Sequence, residues 1–255
     1  MHNRIQAELS RLEQNQHIRI LYACESGSRG WGFASSDSDY DVRFIYCHPA
    51  YWYLRLDEER DSLNLPISDE LDLSGWELRK ALKLLRGSNA ALLEWLQSPV
   101  IYQEAHDFRT RIEALLPACY NPAAALHHYL GLVRRGVEDD LVGEQVRLKR
   151  LFYALRSALA LRWVRQQPGQ VPPMAFGQLR ALLPPELAPE VDELLLRKAA
   201  ANEKTTAPTP KSLAYFIEGE YEVAQAVRTT LRPEHRSDAT SPLNELFQHL
   251  IRSAF

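Results

Sequence analysis

Residues 27–45, GSRGWGFASSDSDYDVRFI, carry aspartates at alternate positions, Asp37, Asp39 and Asp41, where a polar loop runs into an apolar segment. On a strand, side chains two apart share a face, so Asp39 and Asp41 are expected to project together while Tyr40 and Val42 face the other way. Two carboxylates that close raise each other's proton affinity unless a cation neutralises them, and hard oxygen donors suit magnesium. The same string also reads as a solvated acidic turn, with Asp37 and Ser38 bending the chain. Gly27 and Ser28 stand directly after the preceding apolar run, where a glycine lets backbone N–H groups approach an anion as phosphate-cradling loops require. Strand, Gly-Ser, about ten residues and then Asp-x-Asp on a neighbouring strand is a far rarer order than any of its parts.

The elements that must position these residues are legible from pattern. Ile5, Leu9 and Leu12 predict an amphipathic helix over 3–15, and the branched and aromatic runs 18–24 (IRILYAC) and 40–47 (YDVRFIYC) predict two strands around the polar loop. Further strands are expected at 61–65 and 69–74, followed by a helix that Trp76 opens and Gly87 stops. From Asn89 onward the pattern is helical (89–97, 105–116, 123–140, 144–166), with Ser88 or Asn89 as a cap and no clear strand. Segments 168–175 and 204–212 read as exposed loops or linkers, and Trp95 and Trp163 as core. The expected class is α+β: a sheet domain over 1–100 and a helical domain over 101–255.

Composition narrows the function. Of 255 residues 45% are hydrophobic, enough for a real core, and the net charge of -3 excludes a strongly basic coat for nucleic acid. Cys24, Cys47 and Cys119 are too dispersed for a zinc knuckle or disulfide framework, which points to a reducing compartment. No run approaches 18 apolar residues, so a soluble cytoplasmic protein is expected, without a membrane partner. His17 and His127-His128 lack partners at metal-ligand spacing, and neither a GxGxxG nor a Walker A loop occurs.

Gly27-Ser28 followed by Asp39-Tyr40-Asp41 resembles the nucleotidyltransferase signature of the DNA polymerase beta superfamily. GSRGWGFASSDSDYDVRFIY, DLSGWELRKALKLL, SNAALLEWLQSPVIY and LKRLFYALRSALALRW are similar to four blocks of its branch associated with RNA repair. The resemblance covers most of 18–165. One departure is Glu77, where aspartate is the more usual residue.

The resemblance implies a polymerase-beta-like catalytic domain, a helical domain that closes over the nucleotide, and a reaction. An acceptor hydroxyl attacks the α-phosphorus of an NTP held by Mg2+ or Mn2+, and pyrophosphate leaves. Asp39 and Asp41 are the implied metal ligands, with Gly27, Ser28 and Arg29 on the nucleotide. A third carboxylate is needed from an adjacent strand. Asp72 is assigned because Leu71 and Leu73 flank it, although Glu70 on the same face and Asp69 nearby are rivals, and a polar strand edge is the alternative. Arg43 reads as a charge partner of the acids. Trp31 and Phe33 either stack on a base or anchor the loop.

The second nucleotide-binding candidate is the helix at 144–166. Leu148, Phe152, Leu155 and Leu159 form a packed stripe, leaving Lys149, Tyr153 and Arg156 as a polar one. Residues 145–180 hold seven basic side chains and no acid, whereas 57–72 hold seven acids and one base. This fits a basic wall facing the acids with the triphosphate between, and fits a solvated helix face as well. The expected acceptor is an RNA or tRNA end. A protein-modifying, AMPylating transferase and a non-catalytic nucleotide-sensing module on the same scaffold are the alternatives.

Overall fold

The structure is a computed structural model, which describes residues 1–57, 59–67, 70–200, 202, 204–229 and 238–255. The chain forms two compact units that interleave along the sequence. The first comprises Met1–Gly27, Asp39–Tyr120 and residues 238–255; the second comprises Ser28–Ser38 and residues 121–229.

The first unit is built on a five-stranded sheet. Helix α1 (His2–Gln16) turns through a left-handed His17 into β1 (Arg19–Glu25); the chain then continues through α2 (Gly27–Trp31) to β2 (Tyr40–Cys47), β3 (Ser62–Asn64) and β4 (Leu71–Glu77). Next come α3 (Leu78–Arg86), α4 (Ala90–Trp95), β5 (Ile101–Glu104), α5 (Phe108–Glu113) and α6 (Leu116–Cys119). The strand order is β3-β4-β2-β1-β5. β2 runs parallel to β4, and every other pairing is antiparallel. One face packs Val42, Phe44, Leu71 and Leu73 against Ile5, Leu9 and Leu12 of α1. On the other, α3 lies against β2 and β4, and α5 against β1. Burial on both faces explains why β1 and β2 read as nearly continuous apolar runs.

Helix α3 begins later than its periodicity suggests. Trp76 stays in β4 and stacks on Trp95 with ring centroids 3.8 Å apart. Glu77 then caps α3, its carboxylate accepting from Arg79 N at 2.9 Å and Lys80 N at 3.3 Å. That cap gives the glutamate departure a local reason, because its longer side chain also accepts from Tyr53 Oη at 2.7 Å. Asn89 caps α4 as expected, accepting from Leu92 N at 3.0 Å.

The second unit packs α7 (Pro122–Arg135), α8 (Leu148–Gln166) and α11 (Lys211–Val227) against one another, with β6 (Gln145–Arg147), α9 (Phe176–Leu179), α10 (Ala188–Ala200) and β7 (Thr206–Pro208) around them. Leu151, Phe152, Leu155 and Leu159 of α8, Leu126 and Val133 of α7, and Leu213 and Ile217 of α11 are all buried where these helices pack. Helix α12 (Thr240–Ala254) lies on α3 in the first unit.

Three strands correct the expectation of none after Asn89. β5 extends the central sheet, and β6 pairs with β7. These strands have four, three and three residues, too few to display a period of two. Both expected linkers are structured: Pro172, Pro173 and Met174 are buried, and 204–212 contains β7, whose Ala207 is 1% exposed. Trp163 is half-buried and donates to Gln170 O at 3.3 Å, which distinguishes it from the buried Trp95. Glu58 and Asp69, two acids of the 57–72 segment, lie outside the described residues, as does the expected strand start at 69. Among the described residues no helix is long and apolar enough to cross a membrane.

Candidate active site

The parallel pairing of β2 with β4 places Asp41 and Asp72 at the same register position. Between Leu71 and Leu73, which enter the core, Asp72 is half-buried, as the alternation predicts. Arg43, two residues along β2, joins the acids: its Nη2 donates to Asp41 Oδ1 at 3.2 Å and to Asp72 Oδ2 at 2.8 Å. Its Nη1 reaches the Asp72 carbonyl at 3.2 Å. Asp39 is exposed one residue before β2, and Glu70 is exposed one residue before β4, its carbonyl accepting from Tyr40 N at 2.7 Å.

Asp41 is held by its backbone on both sides. Its N–H donates to Glu25 Oε1 at 2.9 Å, and its carbonyl accepts from Ser26 N at 2.8 Å. Gly27 has φ +56°, and a Cβ there would stand 2.0 Å from Asp41 Oδ2. The glycine is required twice, by its left-handed backbone and by the carboxylate packed against it. An anion does meet the Gly27 backbone closely, and in this structure that anion is the Asp41 side chain.

Glu25 is a site residue that the sequence reading missed. It is 1% exposed, and its second carboxylate oxygen accepts from Tyr102 Oη of β5. A buried acid that receives two charge-assisted hydrogen bonds fixes what it holds, here the start of β2 at Asp41. The signal was an acid ending an otherwise apolar strand immediately before Ser26-Gly27.

All-carboxylate donors from Asp39, Asp41 and Asp72 have the chemistry a hard divalent cation takes. Among the described residues, however, no group of three or more His, Cys, Asp or Glu closes on one point. The positive charge between Asp41 and Asp72 is the Arg43 guanidinium.

Within the second unit, the segment after Gly27 is heavily anchored. Ser28 is 3% exposed and donates to Ser38 Oγ at 3.2 Å; Arg29 donates through Nη2 to Ser38 O at 2.6 Å. Phe33 is 4% exposed among Phe152, Phe176 and Tyr153. Lys198, also missed from sequence, is buried and donates to Ser35 Oγ at 2.8 Å. Two residues of the polar stripe of α8, Tyr153 and Arg156, lie on this segment: Tyr153 meets Trp31 edge-on with centroids 4.8 Å apart, while Lys149 Nζ is 6.0 Å from the Tyr153 ring centre. Arg156 is 2% exposed, its guanidinium 4.6 Å from the Trp31 ring centre and its Nε donating to Met174 O at 3.1 Å. Its guanidinium is therefore packed within the unit, neither solvated nor presented at the surface.

Comparisons with known proteins identify the family. A sequence model of RlaP, the RNA repair pathway DNA polymerase beta family, matches residues 1–249. The protein YcgL of Bacillus subtilis (strain 168) is 42% identical over 257 residues, covering 100% of this chain and 98% of that protein. A nucleotidyltransferase-like protein from Exiguobacterium sibiricum 255-15 aligns over 98% of this chain and 91% of its own, with 13% identity and a TM-score of 0.33, so the assignment rests on the sequence matches. On a family match that spans both units, the chain belongs to the RNA repair pathway DNA polymerase beta family.

Proposed function

We propose that the chain is a metal-dependent nucleotidyltransferase that moves a nucleoside monophosphate from an NTP to a hydroxyl at an RNA or tRNA end, releasing pyrophosphate. The observation that carries this reading is the register of Asp41 with Asp72, with the Gly27 backbone closed on the Asp41 carboxylate. Asp39 and Asp41, with Asp72, would hold Mg2+ or Mn2+, which when bound neutralises phosphate charge. Asp72 takes the second role of orienting the acceptor hydroxyl and accepting its proton as its oxygen bonds to the α-phosphorus and the bond to pyrophosphate breaks. Glu25 and Tyr102 hold Asp41 in place.

Gly27, Ser28 and Arg29 are assigned to the nucleotide because helix α2 begins there, directly after β1. Lys149 is assigned to the triphosphate. The buried Arg156, with Tyr153, acts on the nucleotide through Trp31, which both contact. Three buried thiols support a cytoplasmic location.

Arg43 favours a second reading, a nucleotide-sensing module, because a guanidinium already neutralises Asp41 and Asp72. The test is incubation of the pure chain with each α-labelled NTP, Mg2+ or Mn2+, and cell RNA and protein. Label in the RNA fraction is the expected result. Label in the protein fraction selects an AMPylating enzyme, and NTP binding with no pyrophosphate release selects the sensing module.

A further inference from the structure

The first unit carries a second feature suited to phosphate, away from the acids of β2 and β4. Helix α3 turns Leu78, Ala81, Leu82 and Leu85 inward and leaves Arg79, Lys83 and Arg86 exposed at i, i+4 and i+7. Helix α12 runs beside it and offers Thr240, Asn244 and Phe247 at the same spacing. Together these six residues wall a hollow of about 190 Å³ with a floor of Leu82 and Leu243.

Among the described residues no carboxylate lines this hollow. Asp238 stands at its Arg86 end, engaged by the Thr240 N–H at 2.9 Å. At the other end, the Arg79 guanidinium lies 5.4 Å from the Phe247 ring centre and 5.1 Å from that of Tyr53. An adjoining hollow shares Arg79 and Lys83 but is lined by Asp57, Glu59, Asp61 and Glu77, so a polyanion is confined to the α12 side.

We infer that the groove between α3 and α12 binds the phosphodiester backbone of single-stranded RNA, an inference that rests on the proposed RNA acceptor. Positions 79 to 86 span about 10 Å of helix axis, longer than the gap between neighbouring phosphates of one strand, each of which carries a negative charge. Three cations therefore meet two or three successive phosphates. Thr240 and Asn244 supply hydrogen bonds, and Phe247 gives the aromatic surface that single-strand channels use for bases. Scattered surface lysines would not wall a hollow.

The test is fluorescence anisotropy of the full chain with a labelled RNA of about 12 nucleotides between ~50 and ~200 mM salt. Lys83→Ala/Arg86→Ala is compared with Arg134→Ala/Arg135→Ala, an exposed basic pair on α7 that removes the same charge elsewhere. The groove variant is expected to bind at least about tenfold more weakly at ~50 mM salt, and its salt slope to fall by ~1.4, that is 0.7 for each of two lost contacts. The α7 variant should match wild type, and Lys83→Glu should lower affinity further than Lys83→Ala. Unchanged RNA affinity in the groove variant, or an equal loss in the α7 variant, overturns the inference. So does tighter binding of an acidic peptide of equal charge than of the RNA, which would indicate a protein partner, or displacement of the RNA by tripolyphosphate alone at equal phosphate concentration, which would indicate a free-phosphate site. Pyrophosphate release is read in parallel: its absence in wild type defeats the nucleotidyltransferase reading and leaves the RNA result to decide the groove. Release by a groove variant with unchanged RNA affinity does the reverse.

Discussion

Substituting Gly27→Ala tests the closest contact in the candidate site. The backbone there has φ +56°, so any side chain incurs the left-handed penalty of ~1–2 kcal/mol. The new Cβ would also lie 2.0 Å from Asp41 Oδ2, and restoring ordinary contact at 3.4 Å requires a retreat of about 1.4 Å. Pushing the carboxylate off its rotamer adds ~0.5–1.5 kcal/mol. The total of ~1.5–3.5 kcal/mol corresponds to a melting point lower by ~3–14 °C for a chain of this size. Function should suffer more, because a 1 Å misplacement of a reacting group costs on the order of 100-fold in rate. Thermal unfolding and pyrophosphate release are measured on the single variant and again in an Asp41→Ala background. Without the carboxylate, the nearest remaining side-chain atom is the Asp41 Cβ at 3.3 Å, so the stability cost should fall to the ~1–2 kcal/mol of backbone strain. Equal costs in both backgrounds, or wild-type stability for Gly27→Ala, would refute the packing of Gly27 on Asp41.

Three further outcomes are expected. Arg43→Ala removes the cation shared by Asp41 and Asp72 and should lower stability by ~1.5–3 kcal/mol, with millimolar Mg2+ or Mn2+ raising the melting temperature more than in wild type; a variant indifferent to both metals would argue against a cation site at these acids. Burial, with Arg55 assisting and Glu59 opposing, pushes the His48 imidazole from 6.5 down to about 4, so its contribution to stability is complete above pH 6.5 and lost as pH falls toward 4; an NMR titration giving an ordinary His48 value contradicts that burial. Burial likewise pushes the Cys24 and Cys47 thiols up to about 12, so neither should react with a thiol reagent at neutral pH until the chain is unfolded; fast labelling of either in the native chain shows that the sheet is looser than described.

Elements long enough to show a period were legible in the sequence: α1 from Ile5, Leu9 and Leu12, β1 and β2 from their apolar runs, and Asp72 from the leucines beside it. The short strands were not, since a four-residue β5 becomes a strand only through its pairing with β1. Tertiary contacts also decided the details. Trp76 belongs to β4 because Trp95 lies against it, and Pro172–Met174 is buried although its composition reads as a loop. At the site, Asp39 and Asp41 stood out by spacing, whereas the part played by Glu25 depends on Tyr102, 77 positions away. Arg156 had the helical phase of a polar face, yet aromatic packing on Trp31 draws it inside. The interleaving of 28–38 with 121–229 leaves no local trace, because neither segment alone shows which core it joins.

Nucleotidyl transfer at the acids of β2 is read out by pyrophosphate release from each NTP, with Mg2+ or Mn2+ and RNA, by wild type and Asp41→Asn. Wild type should release pyrophosphate only with divalent metal, and Asp41→Asn should lose at least about 100-fold with the fold retained. Release at the wild-type rate by Asp41→Asn, or none from a folded wild-type chain with any NTP, would rule out transfer at these acids.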